Sequence, residues 1–271
     1  MPLAALAAER TLPMRPTTIT LLAGLAALPL LVALALTRPS AQEDVAPDRA
    51  ATEAIVRDYL LENPEVIVEA LERWRDQREA EAQTLAEEAS QTALPMFLSG
   101  EAGFAMGAAP GEADVLVVEF FDYHCGYCQR AADFVFDLAE EDGVRVVLQD
   151  LPILRQESRE AALAGLAAAE AGAYPAMHRE LMRASGVLDD RAVQKAARRA
   201  DADGALAVLA DEAARARLEA KLAASVDAAR AMGLDGTPSF VVAEPGGALI
   251  RVIPSYAPEA VQAAIDEVRA L

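Results

Sequence analysis

The sequence predicts an α/β protein: a parallel strand–helix–strand unit, a helical section inserted after it, two closing strands, and a separate helical region in front. Three observations carry this. Val115–Phe121 and Val144–Leu148 are short apolar, β-branched runs of the kind buried on both faces of a sheet. Residues 128–140, between them, read as a helix, and strand–helix–strand at that spacing makes the two strands a parallel pair. Residues 157–232 are Ala-rich and helical, with breaks expected at Gly172–Pro175, Ser185–Gly186 and Asp201–Gly204.

The 271 residues are 54% hydrophobic, enough apolar surface to offset the entropy of ordering, which excludes a disordered chain. The net charge of −19 excludes nucleic acid as a partner and disfavours docking on an anionic membrane, because both need clustered Lys and Arg.

At the N-terminus, 22 uncharged residues separate Arg15 from Arg38, and Leu21–Leu36 is wholly apolar, Gly or Pro. A basic start before such a stretch is an export signal. Either it is cleaved near Ala41, or residues 19–37 stay as an inner-membrane anchor, although the apolar core falls short of the ~20 residues a spanning helix needs. Met14-Arg15-Pro16 makes a more ordinary short basic start than Met1, so the true start is open. Removing residues 1–41 takes away three Arg and one Glu and leaves the rest at −21. The remainder then faces an oxidising, extracytoplasmic space.

After a short linker, residues 48–92 read as helical. Ile55, Val56, Tyr59 and Leu60 form one apolar face. Asn63-Pro64-Glu65 is a fresh helix start, and Val66, Ile67, Ala70, Leu71 and Trp74 carry the stripe onward. Residues 75–92 are mostly charged or small, which reads as a solvated bridge. The sticky face packs either on the main domain or on copies of itself; periodicity leaves both open. Gly100–Asp114, rich in Gly, Ala and Pro, reads as a boundary. Ser239–Val242 and Ala248–Ile253 close as strands around Pro245-Gly246-Gly247, and Pro258 starts a last helix.

Cys125-Gly126-Tyr127-Cys128 holds the chain's two cysteines and opens the helix after the first strand. Free amide N–H groups and the helix dipole favour a thiolate there, and a thiolate is the attacking species in disulfide exchange. Cys125 is the expected nucleophile and Cys128, one turn inside, the resolving thiol. A purely structural disulfide would close only a four-residue loop and constrain little. A zinc half-site lacks ligands, since the only histidines are His124 and the remote His178. No metal and no cofactor is called for.

Glu119 lies in an otherwise apolar strand. Either desolvation raises its pKa and makes it a proton acceptor during exchange, or it sits at a strand end and reaches solvent. Thr237-Pro238 precedes the third strand, and X-Pro is where a cis bond costs least; a cis bond would turn a free backbone edge toward the dithiol. His124 either adds positive charge beside Cys125, tuning it, or points to solvent. His178 is packed or solvated. Phe120, Phe121 and Tyr127 are expected to offer apolar surface to unfolded clients.

Val118-Glu-Phe-Phe-Asp-Tyr-His-Cys-Gly-Tyr-Cys128, Leu151-Pro-Ile-Leu154 and Thr237-Pro-Ser-Phe240 resemble the DsbA-like branch of the thioredoxin superfamily over residues 103–271. The resemblance implies a thioredoxin fold with a helical domain inserted at about 156–232. It implies Cys125 and Cys128 as the redox pair, Pro238 as the cis-Pro with Thr237 and Tyr127 facing substrate, and Glu119 as the buried acid. Tyr59–Leu71 is similar to the N-terminal region of ScsC-type proteins, which implies self-association, as trimers, through residues 48–92, and disulfide isomerase chemistry. Gly126-Tyr127 departs from the Pro-His pair of the oxidases and matches DsbC-type isomerases, so one source of thiolate stabilisation is missing. The expected partners are unfolded or misoxidised exported proteins and a membrane redox partner, in the periplasm. An oxidase that donates disulfides is the alternative enzyme. A copper- or zinc-holding periplasmic module is the non-enzyme alternative.

Overall fold

β2 (Val115–Phe121) is fully buried along its length and is the middle strand of a five-stranded sheet in the computed structural model, which describes residues 48–271. The export signal or anchor expected over residues 1–41 lies outside the described residues. β3 (Val144–Asp150) pairs parallel with β2, Val115 opposite Val144 and Phe121 opposite Asp150. The expected βαβ unit is closed by α3 (Gly126–Leu138). β4 (Ser239–Ala243) runs antiparallel on the other side of β2, and β5 (Ile250–Ile253) pairs antiparallel with β4.

One strand escaped the sequence reading. β1 (Phe104–Gly107) pairs antiparallel with β3 at the sheet edge, inside the stretch read as a boundary. Four residues, only partly buried, give too short an alternation to read. Gly107 ends the strand at φ +79°, where a Cβ would run into the Val144 carbonyl; the glycine that suggested a loop is what lets this edge strand close against β3.

Alternation along β2 sends its side chains to two cores. Val115, Val117 and Phe121 face Ala131 and Val135 of α3 and Val261 and Ile265 of α9 (Pro258–Arg269). Leu116, Val118 and Phe120 face the end of α2 (Glu65–Ser99) and the end of α8 (Glu212–Ala231). The insert between β3 and β4 is α4 (Glu157–Glu170), α5 (Tyr174–Arg183), α6 (Asp190–Arg199), α7 (Asp203–Ala210) and α8. The three expected breaks are present. A fourth falls at Asp211, whose side chain accepts the Ala214 N–H and caps α8.

Residues 75–92 are not a solvated bridge throughout. Ala86, Ser90, Leu94 and Phe97 of α2 are buried against the sheet, and the Phe97 ring meets Phe120 edge-on at 5.9 Å. Small residues at 86 and 90 concealed this face, and its large anchors lie just past residue 92. The chain divides into two units, one ending at Val66 and one running Ile67–Leu271. In the first, α1 (Arg49–Glu62) is capped by Asp48 and ends where the Asn63 amide donates to the Tyr59 carbonyl; none of its residues is buried. In the second, Ile67, Val68, Leu71 and Trp74 of α2 are exposed.

Candidate active site

Cys125 occupies the N-cap of α3, in extended backbone (φ −81°, ψ 114°), because β2 must turn sharply before the helix starts. Both cysteines are free thiols. Cys125 is only 5% exposed, and its Sγ lies 3.0 Å from the Thr237 carbonyl, to which the thiol donates. Its pKa is pushed down to about 5. The Cys128 thiol, donating to the Cys125 sulfur, is the main cause; the Thr237 side chain and the backbone N–H groups of Cys128 and Tyr127 add to it, against burial. Thr237 Oγ1 is buried with no other partner, so its hydroxyl is free to donate once the sulfur is ionised. The dithiol therefore reaches a low pKa without a histidine between its cysteines. Cys128 is fully buried, and desolvation drives its pKa far up, with Cys125 and the charge of Glu119 adding.

Glu119 does not reach solvent. It is 1% exposed on the α3 side of β2, and neither carboxylate oxygen has a partner. Burial pushes its pKa up to about 8, with a further contribution from the Cys125 charge. The Thr237–Pro238 peptide is cis, and the short sulfur–carbonyl contact places this edge against the dithiol. Tyr127 is 58% exposed two residues after Cys125, with the Arg130 guanidinium 4.2 Å above its ring.

Two expectations are corrected. Phe120 and Phe121 are completely buried, one in each core, and offer nothing to a client; the exposed large apolar groups between residues 103 and 270 are Tyr127, Ile153, Leu154 and Val187. Strand alternation alone consumes both Phe rings, because each face of β2 is covered. His124 neither adds a positive charge nor points to solvent. Its side chain is 4% exposed, and burial lowers its pKa, Arg155 assisting and Asp122 and Glu157 opposing. His178 is packed: it is buried among Phe121, Tyr123, Phe136 and Tyr174, its Nδ1 is 3.2 Å from the Tyr123 hydroxyl, and burial pushes its pKa down to about 3.

Linear patterns missed Asp122, Ser158 and Asp150. Asp122 is buried and accepts from the His124 N–H, the Ser158 hydroxyl and the Leu154 N–H, tying the turn before Cys125 to the loop after β3 and to α4. Asp150, at the end of β3, is buried with both carboxylate oxygens unpartnered, and burial raises its pKa. An acid next to a strand end looks like a solvated group in sequence, and only the covering helices reveal otherwise. Among the described residues no three His, Cys, Asp or Glu side chains converge as a metal-ligand set.

Known proteins align with both regions. The thioredoxin family profile matches residues 101–267, and the profile described as the N-terminal domain of the copper resistance protein ScsC matches residues 48–81. A thioredoxin-like oxidoreductase from Silicibacter pomeroyi is 34% identical, with a TM-score of 0.56, over 65% of this chain and 96% of that one. BcfH from Salmonella enterica Typhimurium is 25% identical, with a TM-score of 0.69, over 81% of this chain and 95% of its own. Proteus mirabilis ScsC in a transitional conformation is 25% identical, with a TM-score of 0.56, over 87% and 98%. Among curated proteins, the Na(+)/H(+) antiporter NhaA 3 of Salinispora tropica is 36% identical over 136 residues, which is 49% of this chain and 21% of the antiporter, so the match spans about a fifth of that relative's length. With a profile covering more than half of the chain, a sheet of thioredoxin type and a Cys-x-x-Cys pair at a helix start, the chain belongs to the thioredoxin family, and residues 48–81 are similar to the ScsC N-terminal domain.

Proposed function

We propose that this protein is a periplasmic thiol–disulfide interchange enzyme that reduces or isomerises disulfides of misoxidised exported proteins. The observation that carries the reading is the Cys125 sulfur, held as a thiolate at neutral pH at the start of α3, one turn from a buried, protonated Cys128. Cys125 attacks one sulfur of a substrate disulfide; the other leaves as a thiolate, and a mixed disulfide forms. The substrate backbone lies along the Thr237–Pro238 edge, and Tyr127, Ile153 and Leu154 give it apolar contact.

Formation of the mixed disulfide removes the charge on Cys125, which helps to raise the proton affinity of both Glu119 and Cys128. Both become easier to ionise at the moment a second thiolate is needed. Glu119 carboxylate then takes the Cys128 proton. Cys128 attacks the Cys125 sulfur, the substrate leaves reduced, and the enzyme keeps the disulfide until a membrane redox partner reduces it. If a second substrate thiol attacks first, the substrate is isomerised and the enzyme returns as a dithiol. Gly126-Tyr127 and the exposed apolar faces of Ile55, Val56, Tyr59 and of Ile67, Leu71, Trp74 support the isomerase reading, with self-association as a trimer. The low proton affinity of Cys125 favours a second direction as well: a stabilised reduced form makes the disulfide form a better oxidant, so donation of disulfides is the alternative. The metal-holding reading is disfavoured because both ring nitrogens of the neighbouring His124 already hold hydrogen bonds.

Export is supported by the apolar stretch after Arg15, and among the described residues no helix is long and apolar enough to cross a membrane. The test is recovery of activity from a scrambled multi-disulfide substrate by the reduced protein, with Cys125→Ser inactive. Alkylation of Cys125 should be flat above pH 7 and half-maximal near its pKa of about 5. A protein that only oxidises reduced substrate establishes the donor direction instead. Half-maximal alkylation above pH 8 removes the basis of both.

A further inference from the structure

His124 stands immediately before the nucleophile and is bonded through both ring nitrogens. Its Nδ1 lies 2.8 Å from Ser158 Oγ, at the start of α4. The Ser158 hydroxyl donates its proton to Asp122 Oδ1 at 2.8 Å, so toward His124 it can only accept, and Nδ1 must carry the hydrogen. The other nitrogen, Nε2, accepts the backbone N–H of Leu188 at 3.0 Å. Leu188 is buried and lies in the segment 184–189 between α5 and α6 of the insert, next to the exposed Val187. One tautomer, neutral with the hydrogen on Nδ1, satisfies every partner. An imidazolium would set its Nε2–H against the Leu188 N–H, two donors facing each other across a buried contact.

We propose that His124 is a positioning residue that ties the helical insert to the turn carrying Cys125, and that taking up a proton at Nε2 breaks the tie at Leu188. The tie runs from Leu188 through the imidazole to Ser158 and Asp122, and Asp122 in turn holds the His124 and Leu154 N–H groups. The segment carrying the exposed Val187, and the loop carrying the exposed Leu154, are thereby both tied to the turn that precedes Cys125. The ionisable groups around the ring are Asp122 on its own turn, Arg155 in the loop after β3 and Glu157 near the start of α4, with Asp189 next to Leu188 on the insert side. Asp122 and Glu157 favour the proton; Arg155 and burial oppose it, and burial is the largest of these. The neutral tie is therefore the form present at neutral pH, and the switch is acidic.

The test needs no enzymatic turnover, so it fails or succeeds independently of the interchange chemistry. The reduced wild-type protein is followed by NMR while the pH is lowered. The His124 ring resonances report its titration, and hydrogen exchange of the Leu188 amide, corrected for the intrinsic pH dependence of exchange, reports the bond. The expected result is a loss of about tenfold in Leu188 protection, the scale of one net hydrogen bond, with the same midpoint as the ring. His124→Asn keeps a donor for Ser158 but cannot reach Leu188; its Leu188 amide should show the same roughly tenfold lower protection at every pH. The Cys125 alkylation rate, referred to the thiolate fraction, should show a step in the ring's pH window in wild type and none in H124N. Leu188 protection that persists unchanged through the ring titration, or in H124N, overturns the proposal.

Discussion

Glu119 shows what a buried, unpartnered carboxyl costs at the scale of one residue. Its pKa rises from 4.5 to about 8 because a carboxylate has been placed in an apolar strand without a hydrogen bond. Below pH 4.5 the folded and unfolded chains are both protonated there, and the residue carries no penalty. As pH rises toward 8 the unfolded chain ionises and the folded one does not, so stability falls across that window and levels off above it. At pH 7 the loss is about 3 kcal/mol, from 1.36 kcal/mol per unit. Glu119→Gln, which keeps the shape but cannot ionise, should therefore raise stability at pH 7 by roughly that amount, with the gain vanishing toward pH 4.5, as urea unfolding at several pH values would show. The same variant should slow resolution of the mixed disulfide by Cys128, because no acceptor remains for its proton. Equal stability of E119Q and wild type at pH 7 would mean that Glu119 is ionised in the fold after all. Elsewhere at this scale the helix start carries Cys125: main-chain N–H groups that β2 and α3 had to leave free become donors to the thiolate.

Among the elements, α2 does two things along one continuous helix. Its first turns expose Ile67, Leu71 and Trp74, while its last turns bury Leu94 and Phe97 in the core that faces Phe120 and Val118. The second part is a structural anchor for the first. Phe97→Ala should cost about 3–5 kcal/mol, the range for a fully buried aromatic, read as a lowered urea midpoint with an unchanged Cys125 titration. An unchanged midpoint would show that this end of α2 is not part of the folded core. The insert has a similar division of labour. Gly165 of α4 lets the Tyr123 hydroxyl approach, since a Cβ there would lie 2.5 Å from that oxygen, and Ser158 on the same helix receives His124. A helix that looks only Ala-rich in sequence thus has its small residues where the active-site turn passes beneath it.

For the whole molecule, the excess of acid over base is large and the apolar groups left uncovered are concentrated before residue 75. Like charge keeps copies apart unless a specific face draws them together, so self-association should depend on that region alone. Deleting residues 48–74 should leave a monomer by light scattering, still able to reduce a simple disulfide but slower to rescue a scrambled substrate. An assembly that survives the deletion would place the contact elsewhere. Sequence alone determined the strand and helix alternation around Cys125, the Cys-x-x-Cys spacing at the helix start and the sticky N-terminal faces, because each is written in neighbouring residues: period, spacing and turn chemistry are local quantities. The cis Thr237-Pro238 bond was implied by family resemblance rather than by spacing. The sequence did not reveal β1, the docking of α2, the buried acids Asp122 and Asp150, or the neutral state of His124. Those depend on what covers a residue from a distant part of the chain, such as Leu188 over an imidazole 64 positions earlier. Burial and hydrogen-bond partnership set whether a group is charged, and only the tertiary structure decides who the neighbours are.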